Sequence, residues 1–270
     1  MTIECSLLFG LSLLIDYLNV FSNNKHVTFK ISFNDKLIKV LRNEYDEIYF
    51  KLLNDFVLEH IKDMENVILL PEEDYPYILP EDIASQLNVE MHSIKKNFII
   101  PTSSVNYGRN YVVINTKVVT GLDIGIHEKW NYEVKEPLFK MLDESDYDIF
   151  LIGEKQYTDC EEYRMHSTFS IYNDIMNANL KNTKDFTIQD TIQLYQKETI
   201  YRNFKILTDS NFNIHIGDGG GLKIFSYFND AVMLSSNQLR MLNYYTNTFN
   251  TIQTFDSAHF LDSVRAKLVV

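Results

Sequence analysis

Two unbroken apolar runs constrain the fold of this chain more than any other feature: Tyr111-Val112-Val113-Ile114-Asn115 and Asp148-Ile149-Phe150-Leu151-Ile152-Gly153. Each has the length of a strand, and neither alternates, so both faces of each strand must be covered. Residues 132–142, between them, carry helical spacing. Strands covered on both faces and separated by helices build a parallel sheet between helical layers, because a parallel pair needs a crossover long enough to hold a helix. The pattern continues with helices predicted at 172–177 and 187–198, a strand at 212–216, a glycine-rich turn, a helix at 222–228 and a strand at 231–234. This is an α/β, Rossmann-like half.

The first hundred residues carry the same alternation less sharply. A strand is predicted at 3–9, a helix at 11–21, and a half-buried strand at 27–33, where Val27, Phe29, Ile31 and Phe33 alternate with polar residues. From 35 to 63, Leu37, Leu41, Tyr45, Ile48, Leu52 and Phe56 recur at helical spacing, and a strand at 67–70 follows. Four of the five prolines fall between Pro71 and Pro101, marking a loop-rich connector. A chain of 270 residues accommodates two domains. The expected division is 1–105, 106–236, and a helical segment 237–270 that braces the two halves.

Composition narrows the function. With 45% hydrophobic and 23% charged residues the chain is a folded, globular one. A net charge of −12 excludes a general nucleic-acid binder, which needs a basic surface to displace counterions. The apolar stretch from Cys5 to Val20 is broken by Asp16 and Asn19 and is too short to span a bilayer, so no transmembrane segment is expected. Cys5 and Cys160 make neither a disulfide framework nor a zinc site, which suits the reducing cytoplasm. The histidines show no ligand spacing, and the acidic group Asp159, Glu161 and Glu162 suits a solvated loop as well as a metal, so no metal and no cofactor are expected.

Four of the nine glycines lie in Gly217-Asp218-Gly219-Gly220-Gly221, directly after an apolar strand and before an apolar helical stretch. Glycines let a backbone approach a ligand closely, and the free N–H groups of a helix start favour a diphosphate. Lys223 adds a cation. The same residues also suit a tight strand-to-helix turn with no ligand, and Asp218 suits a helix cap as well as a sugar hydroxyl. The spacing matches neither the dinucleotide fingerprint nor a P-loop.

Four pieces in order resemble the donor-binding half of GT-B glycosyltransferases, in particular the heptosyltransferase-like group. These are the strand ending Ile114-Asn115-Thr116-Lys117, the segment His127-Glu128-Lys129-Trp130, the strand Phe150-Leu151-Ile152-Gly153-Glu154, and Ile214 to Gly221. The resemblance covers a little under half of the chain. It implies two Rossmann-like halves, closing C-terminal helices, and a nucleotide-diphosphate sugar as co-substrate.

On that resemblance, Gly217, Asp218, Gly219, Gly220, Gly221, Lys223, Thr116, Lys117 and Lys129 bind the donor phosphates. Asn115 and Glu154 meet the sugar or ribose, and Glu154 suits a plain loop carboxylate equally. The implied reaction is metal-independent, inverting transfer to a hydroxyl of a glycan acceptor. Inverting transfer needs a base to deprotonate that hydroxyl. The loop where the resembling enzymes carry it reads Phe9-Gly10-Leu11-Ser12, without an acid, leaving Asp16 and Asp35 as the nearest candidates. The missing base also suits a non-catalytic binding protein of the same fold, and the glycine turn also suits another nucleotide-sugar enzyme such as an epimerase.

Overall fold

The structure is a computed structural model, and it describes residues 1–7, 11–32, 51–52, 55–56, 58–70, 73–91, 101–108, 110–121, 125–155, 167–189, 193, 196–217, 224, 227–235 and 251–269. The chain divides into one unit of residues 1–100 with 195–197 and another of 101–194 with 198–270.

In the first unit, β1 (Thr2–Ser6), β2 (Thr28–Ser32) and β3 (Val67–Leu69) form a parallel sheet in that order. Helix α1 (Leu11–Asn23) connects β1 to β2 and buries Leu14, Ile15, Tyr17, Leu18 and Phe21. The Phe21 ring lies 4.5 Å from that of Phe29 on β2. Where the prolines predict only a connector, the chain crosses the carboxyl ends of β2 and β1 and is pinned there by hydroxyls. Ser32 Oγ donates to the Glu73 carbonyl, Ser6 Oγ to that of Tyr75 (2.8 Å) and Tyr17 OH to that of Ile78 (2.6 Å). Tyr77 pairs in parallel with Ser6, and a helix, α2 (Pro80–Gln86), follows. Pro80 starts this helix at no hydrogen-bonding cost, because the first N–H groups of a helix have no partner within it. Residues 35–50, 53–54 and 57 of the predicted long helical stretch lie outside the described residues.

The second unit is built on a six-stranded, all-parallel sheet. Its strands are β4 (Tyr111–Asn115), β6 (Asp148–Ile152), β8 (Thr183–Asp185), β9 (Phe212–Ile216), β10 (Ala231–Leu234) and β11 (Thr251–Thr254), in the order β11-β10-β9-β4-β6-β8. An antiparallel ribbon of β5 (Lys117–Gly121) and β7 (Ser167–Ser170) stands after β4, where the sequence shows no strand. Between β5 and β6 run α3 (Gly125–Lys129), a π-helical turn (Trp130–Val134) and α4 (Lys135–Glu144). Then come α5 (Tyr172–Asn177), α6 (Lys197–Asp209) and α7 (Ser257–Leu268).

The apolar runs of the sequence are the inner strands, buried at nearly every position. Val112, Ile114, Leu151 and Ile214 face a core closed by Trp130, Leu138, Phe260 and Val264. Each such side chain contributes roughly 1.5–3 kcal/mol by leaving water. Alternate residues take the other face: Tyr111 stacks on Phe150 at 4.0 Å and donates its hydroxyl to the Ile206 carbonyl of α6 (2.9 Å).

Two sequence expectations change here. The helix predicted at 187–198 does not begin at 187: Gln193 and the residues from Lys197 onward are helical, and residues 190–192 and 194–195 lie outside the described residues. Ile188 instead extends the pairing of β6, accepting from Lys155 N and donating to Gly153 O, both at 2.9 Å. The segment predicted as helices from 237 contains β11 ahead of α7, and residues 236–250 lie outside the described residues. Phe260 and Val264 of α7 are buried in the core of the second unit.

Candidate functional site

From β4 the chain proceeds outward through β6 to β8, then returns to the other side of β4 and proceeds through β9 and β10 to β11. This is the strand order of the doubly wound Rossmann sheet, and the reversal between β4 and β9 is its switch point. Loops leaving two such strands diverge, which opens a crevice at their carboxyl ends. Asn115 ends β4, and His215-Ile216-Gly217 end β9. Asn115 Nδ2 lies 3.1 Å from His215 Nδ1, a hydrogen bond across the switch point between residues 100 positions apart. The acceptor in this pair is the ring nitrogen, since the amide can only donate from Nδ2. His215 is fully buried, and burial pushes its imidazole down to about 3, so it is neutral at physiological pH.

Beside it, the ends of β4 and β6 are locked together. Gly153 has φ +101°, and a Cβ there would lie 2.5 Å from Asn115 Oδ1 and 2.9 Å from Thr116 Oγ1. Only glycine permits both this backbone conformation and this approach. The buried Thr116 hydroxyl lies 3.1 Å from the Ile152 carbonyl and 2.8 Å from that of Glu154, which also accepts from Ser170 Oγ at 2.8 Å. Thr116 is therefore a clip between two strand ends.

The Glu154 side chain is 1% exposed, and its Oε1 accepts from Lys117 Nζ at 2.8 Å. Its Oε2 is buried with no partner. A buried carboxylate oxygen left unpaired is costly.

Directly after Glu154, Lys155 Nζ pairs with Asp185 at 2.8 Å and sits 5.2 Å above the Tyr172 ring. Asp185 also accepts from Tyr172 OH (2.9 Å) and Thr187 N (2.9 Å). Burial pushes the Asp185 carboxyl up, but hydrogen bonds from Lys155, Thr187 and Tyr172 together outweigh it and hold it below its ordinary value. The sequence did not single out this anchor. Its members lie up to 32 positions apart, and each looks like an ordinary surface polar residue.

Of the residues singled out in the sequence, Asn115, Thr116, Lys117, Glu154 and Gly217 thus gather at the carboxyl ends of β4, β6 and β9. Gly217 has φ +102°, which starts the glycine turn in a conformation side chains disfavour. Lys129 goes elsewhere: its ammonium donates to the Phe255 carbonyl beyond β11, three strand spacings or roughly 14 Å from β4. Asp16 is on α1 in the first unit and 2% exposed. Asp35, Asp218, Gly219, Gly220, Gly221 and Lys223 lie outside the described residues.

Among the described residues, no three His, Cys, Asp or Glu side chains are grouped to hold a metal ion, and no helix is long and apolar enough to cross a membrane. A groove of about 460 Å³ between α4 and α5 is lined by Lys135, Phe139, Asp174 and Leu180, and includes none of the residues gathered at the crevice.

No family model matches the chain, and no curated protein is similar to it. Among solved structures it is similar to the "dodecameric iron-containing heptosyltransferase TibC in complex with ADP-D-beta-D-heptose", with a TM-score of 0.49 and 12% identity over 93% of this chain. The chain spans 62% of the length of that protein chain.

Proposed function

We propose that this chain is a GT-B type glycosyltransferase that binds a nucleotide-diphosphate sugar at the carboxyl ends of β4, β6 and β9. The observation that carries the reading is the unpaired Oε2 of Glu154, buried past the carboxyl end of β6, the strand beside the switch point of a Rossmann sheet. In this reading Glu154 accepts from a ribose or sugar hydroxyl, with Lys117 holding its other oxygen, and Asn115 lies alongside. The glycine turn that Gly217 begins carries the diphosphate on its backbone N–H groups, which stabilise the charge of the departing nucleotide without a metal. The acceptor is a glycan hydroxyl, and the reaction takes place in the cytoplasm.

A second reading, binding without transfer, draws on the burial of Asp16, which leaves the nearest candidate base with little access to an acceptor. A thermal-shift panel of UDP, GDP, ADP, CMP and their sugars tests the shared step, since a ligand of the folded state raises its stability by mass action. One responding nucleotide, with the response lost in Glu154→Ala, is expected. No response to any of them ends both readings. Product analysis with the responding sugar nucleotide then separates transfer from binding.

A further inference from the structure

Arg202 on α6 stands one helical turn after Glu198, the spacing at which opposite charges on a helix pair. It does not use that partner. Its Nη2 donates instead to the carbonyl of Phe186, just past the end of β8, at 2.9 Å, and lies 3.5 Å from Asn203 Oδ1. Its Nε is buried with no acceptor, and among the described residues no carboxylate pairs with the guanidinium. The nearest acid along β8, Asp185, is engaged by Lys155, Tyr172 and Thr187.

The residue before Arg202 brings a second idle group. The Tyr201 carbonyl accepts the backbone N–H of Ser103 at 3.1 Å, and the Ser103 hydroxyl is buried without a partner. A guanidinium turned from its helical partner toward a strand end, with an unused hydroxyl on the adjoining segment, has the donors that an oxyanion takes and, among the described residues, no carboxylate to compete for them. In a chain of net charge −12, an uncompensated and partly buried arginine stands out further.

We propose that Arg202 and Ser103 form a phosphate-binding site at the β8 end of the sheet. It is separate from Gly217 at the end of β9, because β8 and β9 are three strand spacings apart, roughly 14 Å. The phosphate it takes is that of a second ligand, either a phosphorylated acceptor or free phosphate. The proposal stands independently of the donor reading.

The test is a thermal-shift titration of the full chain with potassium phosphate against potassium chloride at matched ionic strength, which removes general screening. Phosphate is expected to stabilise the protein saturably where chloride does not. Apparent affinity should fall roughly tenfold or more in Arg202→Gln and less in Arg202→Lys and Ser103→Ala. Circular dichroism of each variant without phosphate identifies any that fail to fold, and the Lys and Ala variants keep the test open if the Gln variant does. An equal response to chloride, or an unchanged phosphate response in a folded Arg202→Gln variant, overturns the proposal. So does loss of the phosphate response at saturating UDP or ADP, which would merge the two sites. A sugar phosphate that binds more tightly than inorganic phosphate, and only with Arg202 present, points to the acceptor as its source. Failure of every nucleotide to bind would sink the donor reading and leave the phosphate result intact.

Discussion

Replacing Gly153 with alanine puts a number on how tightly the two strand ends at the crevice are locked. At φ +101° a side chain is strained by about 1–3 kcal/mol. The new Cβ would lie 2.5 Å from Asn115 Oδ1, 2.9 Å from Thr116 Oγ1 and 3.2 Å from the backbone nitrogen of Thr116. The Asn115 amide can rotate away, but it then gives up the hydrogen bond from Lys117 N and disturbs its bond to His215, a further 0.5–1.5 kcal/mol or so. The Thr116 hydroxyl is held by two carbonyls and has less room to move. The total comes to about 1.5–4.5 kcal/mol. Trp130, the single tryptophan and 1% exposed in the core of the second unit, reports the unfolding of that unit in urea. The expected result is a lower midpoint with an unchanged slope. Adding Asn115→Ala to Gly153→Ala removes the nearest clash, so the two changes should be less than additive by about 1 kcal/mol. A loss below about 0.5 kcal/mol for Gly153→Ala would refute the packing argument.

Other consequences can be measured directly. The folded His215 imidazole is held at about 3, below its ordinary 6.5, so the unfolded chain binds the extra proton between those values. Stability is then fully present above about pH 6.5 and falls on acidification by up to about 1.4 kcal/mol per pH unit; His215→Asn should flatten that part of the urea-stability profile. Lys117→Met strands the buried Glu154 carboxylate and should cost about 3 kcal/mol, most of it recovered in the Lys117→Met, Glu154→Met double variant; equal stability of the two variants would contradict the ion-pair account. Burial pushes the Cys5 thiol up to about 12, leaving roughly 10⁻⁴ of it ionised at pH 8. In a Cys160→Ser background, iodoacetamide should therefore label Cys5 no faster than the protein unfolds, and rapid labelling of the folded chain would show the thiol to be accessible.

The inner strands were legible because a parallel strand covered on both faces must be apolar at nearly every position, as 111–115, 148–152, 212–216 and 231–234 are. The sheet's edges were not. Thr183-Lys184-Asp185 and Thr251-Ile252-Gln253-Thr254 each pair on one side only and keep polar residues half exposed, so nothing in them resembles a buried strand. Ile188 was read as the start of a helix because it fits a helical repeat as well as the extended pairing it makes with β6. At the site, Asn115, Thr116, Lys117 and Glu154 could be proposed because each follows an apolar strand, and ligands meet parallel sheets at those ends.

Their actual partners were another matter. Strand neighbours are chosen by crossovers and packing over the whole unit, and hydrophobic periodicity records only which face of an element is covered. The α/β class, the parallel inner strands and the strand ends bearing polar groups follow from local chemistry, since each depends on residues a few positions apart. That β4 lies between β6 and β9, that His215 meets Asn115, that Lys117 holds Glu154 and that Lys129 turns to Phe255 were decided only when the sheet assembled, because those contacts join residues 37 to 126 positions apart.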